Sequence, residues 1–100
     1  MRLRLDQLEA LSWIAKLGSF RSAARQLHIS QPAVSSRIRE LERHLGFAVI
    51  DRGGARPRVT PRGTEVVRYA EQMIGLAEGL ATHFDERHLF DGTIRMGAAD

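Results

Sequence analysis

The sequence predicts a mainly α chain: three short helices, a short β-hairpin, then one long helix. Three observations carry that expectation. The run Gly18-Ser19-Phe20-Arg21-Ser22-Ala23-Ala24-Arg25-Gln26-Leu27-His28-Ile29-Ser30-Gln31-Pro32-Ala33-Val34-Ser35 reads as two helices joined by a tight turn, the second opening on a cap followed by glutamine. Apolar residues between positions 66 and 84 recur at 4-3-4-3-4 spacing, the pattern of a helix that pairs with another. Charge is divided: residues 1–63 set twelve Arg and Lys against five acids, a net of +7, whereas residues 64–100 set three Arg against seven acids, a net of −4. A basic first part and an acidic second part suggest two jobs.

The elements follow in order. Asp6 is placed to cap the first helix, with Glu9 completing a capping box. Leu8, Leu11, Ile14, Ala15 and Leu17 form its inner stripe, Trp13 lies off that stripe, and Gly18 stops the helix. Ser19 caps the second helix, which turns Ala23, Ala24 and Leu27 inward; the alanine pair requires a neighbour at close range. His28-Ile29 makes the turn, with Ile29 pinned into the core. Ser30 caps the third helix, which carries Pro32 in its first turn, where a missing N–H costs nothing. It runs to about His44, with Val34, Ile38, Leu41 and Leu45 inside and Pro32, Ser36, Arg39 and Arg43 on the opposite face. Gln31 and Ser35 lie on one flank near its start, and Gly46 ends it.

Phe47-Ala48-Val49-Ile50 has strand character, Arg52-Gly53-Gly54-Ala55-Arg56-Pro57 is a basic turn, and Arg58-Val59-Thr60 is a short return strand. Thr60 caps the long helix and Pro61 takes its first position. The helix extends to His83 or beyond. Its seam is Val66, Ala70, Met73, Ala77, Leu80 and Phe84, widened by Val67 and Ile74. Gly75 and Gly79 cost it roughly 1 kcal/mol each relative to alanine. Such a seam beyond a small domain calls for a partner helix; the alternative is an amphipathic helix folded back on its own domain. The stretch Gly92-Thr93-Ile94-Arg95-Met96-Gly97 reads as a strand with no sheet to join, so the chain is expected to be a fragment with a larger domain following.

Composition narrows the functions. Zero cysteines exclude disulfides, thiol catalysis and cysteine-ligated zinc. His28, His44, His83 and His88 lack metal-ligand spacing, and neither a phosphate loop nor a nucleophile elbow occurs, so neither an enzyme nor a metal or cofactor site is expected in this stretch. No apolar run is long enough to span a membrane and no signal peptide is seen, which points to a soluble, intracellular protein. Fourteen Arg against one Lys suits phosphate and guanine edges, which the guanidinium fork matches.

The candidate chemistry is therefore double-stranded DNA recognition. Gln31 can bridge adenine, Arg39 can reach guanine, and the small Ser36 lets the helix backbone approach the bases. Ser30, Ser35 and the helix N-terminus offer donors to phosphate. Arg21, Ser22, Arg37, Arg43 and Thr60 are further backbone-contact candidates. Arg52 and Arg56 flank the hairpin turn, where inserted arginine would meet the enhanced negative potential of a narrow A·T minor groove.

The order of elements, with Gly18-Ser19-Phe20, Ala23-Ala24, Ser30-Gln31-Pro32-Ala33-Val34-Ser35, Leu41-Glu42, Leu45-Gly46, Arg52 and Thr60, resembles the N-terminal part of LysR-type transcriptional regulators. The resemblance covers essentially the whole chain. It implies a winged helix-turn-helix domain over residues 1–62, with the helix-turn-helix at about 19–44 and the wing at about 47–60. A linker helix over 61–88 would pair with that of another subunit, usually antiparallel, and residues 89–100 would be a hinge and first strand of an effector domain. It further implies tetramers on interrupted palindromes near promoters, a small-molecule effector bound in the absent C-terminal domain, and a cytoplasmic location in a bacterium. By motif position Gln31 and Pro32 are the implied base contacts and Ser35 the phosphate contact. Three positions depart from the family pattern: Ser36 stands where many relatives carry arginine, Arg56 comes one step after the usual wing arginine at Ala55, and Pro61-Arg62 replaces an acidic residue and alanine before Gly63.

A sequence-specific transcription factor leads. A non-specific or architectural DNA binder would share the basic surface but need no ordered recognition helix. A pure dimerisation module would not depend on Gln31 or Arg39.

Overall fold

The computed structural model describes residues 2–84, with Met1 and residues 85–100 outside the described part. The expected end of the linker helix to residue 88 and the strand at 92–97 therefore lie outside the described residues. Among the described residues four helices and one two-stranded antiparallel sheet occur in the order α1 (Leu5–Leu17), α2 (Phe20–Leu27), α3 (Gln31–Leu45), β1 (Ile50–Asp51), β2 (Arg58–Val59) and α4 (Pro61–His83). The strands pair Ile50 with Val59 and Asp51 with Arg58.

Short polar caps set most boundaries. Ser19 Oγ accepts from the Ser22 N–H at 3.0 Å, Ser30 Oγ from the Ala33 N–H at 3.1 Å, and Thr60 Oγ1 from the Gly63 N–H at 2.9 Å. Gly18 and Gly46 close α1 and α3 at φ of 82° and 85°, backbone that disfavours a Cβ. His28 adopts the same left-handed conformation at φ 58° in the α2–α3 turn, where the Ile29 N–H reaches back to the Ala24 carbonyl at 3.0 Å.

α1 departs from the sequence expectation at its start. Its cap is Arg4, not Asp6, and the Arg4 N–H donates to Gln7 Oε1 at 3.2 Å. Asp6 is already helical, and its carboxylate is held instead by the Arg4 guanidinium, at 3.1 and 3.2 Å. An acid in the first turn still suits the helix dipole.

The core joins Leu8, Ala10, Leu11 and Ile14 of α1 with Ala23 and Ala24 of α2, Val34, Ile38 and Leu41 of α3, Val49 and Ile50 at the wing, and Ala70 of α4. α1 packs against α2, α3 and α4. Covered from several sides, it buries a broad face that includes Gln7 and Ser12, while Ala15 and Leu17, expected inside, stay exposed. Gln7 meets the need of a buried amide by donating to Glu40 Oε1 at 3.3 Å.

The wing and α4 meet in a tight joint. The Thr60 N–H donates to the Val49 carbonyl at 3.0 Å and its hydroxyl donates to the Ala48 carbonyl at 2.8 Å. Gly63 is pressed so close to this segment that a Cβ there would collide with the Val49 carbonyl oxygen and sit 2.9 Å from Val59 Cγ1.

The predicted seam of α4 divides into two faces. Ala70 is buried, and Val66, Val67 and Ile74 pack on the chain's own core. Tyr69, Met73, Leu76, Leu80 and Phe84 form a second apolar face, exposed by 62, 46, 76, 62 and 69 %. At about 100° per residue these five fall within one sector of roughly 80°. The single 4-3-4-3-4 line ran between the two faces; it left out the exposed Tyr69 and Leu76 and included Val66 and Ala70, which pack into the chain's own core.

Candidate nucleic-acid interface

Ser30 and Pro32 start α3 abruptly, so its first turn projects from the domain rather than into it. Gln31 and Pro32 are exposed there, Ser35 is half-buried, and Ser36 and Arg39 are exposed one turn further on. These five line a shallow hollow on the outer face of α3. Arg39 lies back along the helix, its Nη2 donating to Ser35 Oγ at 3.3 Å. The guanidinium is thus held toward the N-terminal half of α3, where free backbone N–H groups also point outward.

The wing stands beside this face. Asp51 Oδ1 accepts from the Gly53 N–H at 2.9 Å and shapes the entry to the turn. Phe20, Gln31, Ser35, Arg52, Gly54, Ala55 and Pro57 line a groove of about 320 Å³ between the start of α3 and the wing. Arg56 is exposed in the turn.

The other sequence candidates are placed unequally. Arg21 and Arg43 are exposed, on the first turn of α2 and the last turn of α3. Ser22 is half-buried and gives its backbone N–H to Ser19. Ser30 spends one lone pair of its hydroxyl on capping. Arg37 faces α1, its Nε 3.9 Å from Asp6 Oδ2. The Thr60 hydroxyl is already both donor and acceptor within the wing joint. Arg52 sits at the base of the wing rather than its tip: it lies 3.9 Å from Glu42 Oε1 and 5.3 Å over the Phe20 ring. Neither Arg37, Thr60 nor Arg52 is therefore as free as the sequence suggested, because each is engaged by a residue distant in the chain or by the backbone.

Three residues escaped the sequence reading. Glu42, given no role of its own above, turns inward and accepts from the Val49 and Ile50 N–H groups at 2.9 and 3.2 Å. Phe20 supplies the ring beneath Arg52. Phe47 supplies another beneath Arg62, at 4.4 Å, which accommodates a cation at a helix N-terminus where the dipole disfavours it. The available signal for Glu42 was its place beside Leu41, just before a segment whose first N–H groups have no strand partner.

Electrostatically, the Arg4 hydrogen bond holds the Asp6 carboxyl below the usual range, and Arg37 adds to the effect. Arg4 is raised in turn by the same partner. Among the described residues no helix is long and apolar enough to cross a membrane.

A capped helix projecting its polar first turns beside a two-stranded wing, over a three-helix core, is a winged helix-turn-helix DNA-binding fold. Residues 5–64 match the family described as bacterial regulatory helix-turn-helix protein, lysR family, and the chain belongs to that family. It is 41 % identical over 96 residues to a probable RuBisCO transcriptional regulator of Porphyra purpurea, covering 95 % of this chain and 30 % of that protein. Its fold resembles oxidised OxyR of Corynebacterium glutamicum, with TM-score 0.79 and 35 % identity, over 83 % of this chain and 27 % of that one. It also resembles the BenM DNA-binding domain solved with catB site 1 DNA, with TM-score 0.76 and 29 % identity, over 80 % of this chain and 90 % of that one. The chain thus spans about 30 % of the length of the curated relative named here.

Proposed function

We propose that this chain is the sequence-specific DNA-binding part of a LysR-type transcriptional regulator acting in the bacterial cytoplasm. The observation that carries the reading is the exposed outer face of α3, where Gln31, Pro32, Ser36 and Arg39 stand together beside the wing. Gln31 and Arg39 read base edges in the major groove, Pro32 packs on the groove wall, and Ser36 permits close approach. Arg21, Ser22, Ser35, Arg43 and the N-terminus of α3 hold phosphates, and Arg56 enters the adjacent minor groove. Solved complexes of related DNA-binding domains with DNA support this use of the surface.

A second copy pairs through the exposed α4 face of Tyr69, Met73, Leu76, Leu80 and Phe84, which places two recognition helices on an interrupted palindrome near a promoter. In the whole protein, a C-terminal domain would bind a small-molecule effector and two dimers would form a tetramer.

The test is binding of the chain to the region upstream of its own gene at about physiological salt, with excess random competitor, beside Gln31→Ala. The reading expects a discrete protected site with two related half-sites. It also expects the variant to lose about 1–3 kcal/mol of preference for that site while keeping its non-specific affinity. Equal binding of every duplex by both proteins, collapsing as salt rises, would establish instead an architectural backbone binder.

A further inference from the structure

We propose that Glu42 is a positioning residue for the wing, acting through Arg52 and Phe20 to set how the wing meets DNA relative to α3. The inference rests on the DNA-binding reading above and assigns a part to a residue outside the reading face. Glu42 belongs to α3, the helix that presents Gln31 and Arg39. One carboxylate oxygen accepts from two consecutive backbone N–H groups where the wing begins, Val49 at 2.9 Å and Ile50 at 3.2 Å. The other stands 3.9 Å from the Arg52 guanidinium. Arg52 in turn lies 5.3 Å over the ring of Phe20, the first residue of α2. Glu42 therefore links the recognition helix to the first strand of the wing, and Arg52 carries the chain of contacts on to the start of the helix before it.

From the other side the Thr60 bonds to Ala48 and Val49 tie the same segment to α4, so Glu42 is its tie to α3. Each strand is two residues long, so the ladder alone is a weak constraint. The Glu42 side chain is 16 % exposed and that of Arg52 is 44 % exposed, and Arg52 is the member of the pair that lines the groove between α3 and the wing. A half-buried, charge-assisted bond to two backbone donors is a strong tie. Reading by the wing is thereby tied to reading by α3: the groove width that admits a DNA strand is fixed by α3 itself.

The experiment uses the whole chain and duplexes that keep one half-site constant while the flank under the wing is A·T-rich or G·C-rich. Wild type, Glu42→Gln, Arg52→Gln, Arg52→Lys and Phe20→Leu are compared by fluorescence anisotropy at one salt concentration. The temperature is chosen so that circular dichroism shows each variant folded. The expected result is that Glu42→Gln and Arg52→Gln each lower the A·T-over-G·C flank ratio by about threefold to tenfold while the preference for the constant half-site over random DNA stays as in wild type. The double variant falls no further than either single one, and Arg52→Lys recovers most of the ratio. Phe20→Leu, which keeps an apolar side chain, gives a smaller fall. A flank ratio unchanged in Glu42→Gln but lost in Arg52→Gln overturns the proposal and makes Arg52 a direct contact. So does a flank ratio unchanged in both, with only the melting temperature lowered. If wild type itself prefers neither half-site nor flank, the DNA-binding reading fails and this proposal falls with it.

Discussion

The two ends of α4 are opposites. At its start Thr60 and Gly63 are locked to the wing backbone, and Val66, Val67 and Ala70 complete the domain core. In its second half Leu76 and Leu80 are exposed by 76 and 62 %. One continuous helix therefore belongs to the domain core at one end and carries an exposed apolar face at the other. The difference teaches that a regular apolar repeat records burial without saying by whom.

The contrast breaks most sharply at the joint. Gly63→Ala forces a Cβ into the Val49 carbonyl, and neither backbone can yield without moving the wing. A loss of about 3 kcal/mol or more is expected in urea unfolding. Ala70→Asp buries an unpaired charge in the core and is expected to cost a similar amount.

Leu80→Asp on the other face should leave unfolding of the isolated domain within about 0.5 kcal/mol of wild type. It should instead abolish self-association in sedimentation, and with it binding to paired half-sites. If Leu80→Asp destabilises the domain as Ala70→Asp does, the division of the helix into two faces is wrong.

Gly79→Ala sharpens the same point with the opposite sign. A Cβ at Gly79 meets nothing within 4 Å. The variant should gain up to about 1 kcal/mol in thermal unfolding from helix propensity.

The smallest effect belongs to the N-terminus of α1. The Asp6 carboxyl lies below its usual range because Arg4 hydrogen-bonds the charged form. Its stabilisation is therefore complete above the unfolded value near 3.9 and is lost as pH falls through the lower folded value. Asp6→Asn should flatten the acid side of the stability curve by less than about 1 kcal/mol, since the pair is largely solvated.

Which of these features the sequence discloses depends on how local their causes are. Ser19, Ser30 and Thr60 cap within three residues, and Pro32, Gly18 and Gly46 act through their own backbone, so the helix boundaries they set were legible. The polar outer face of α3 follows from helical period and was legible too. Asp6 was misread because Arg4 competes for it and Gln7 takes over the capping. The places of Arg52 and Glu42 were hidden because their partners lie 10 positions apart and meet only once α3 has turned back into the wing. Gly63 entered the sequence reading only as a position of the family pattern. Its reason is a close approach by Val49, which no local pattern encodes.

The joint at Thr60 and Gly63 also fixes a scale of length. With 23 residues rising about 1.5 Å each, α4 is a rod of about 34 Å. Held rigidly at one end, it acts as a lever: a tilt of about 6° at the joint displaces the far end by about 3.4 Å, the stacking distance of one base pair. The stiffness of a few backbone contacts beside Val49 thus sets the tolerance, counted in base pairs, with which the far end of α4 keeps its place relative to α3.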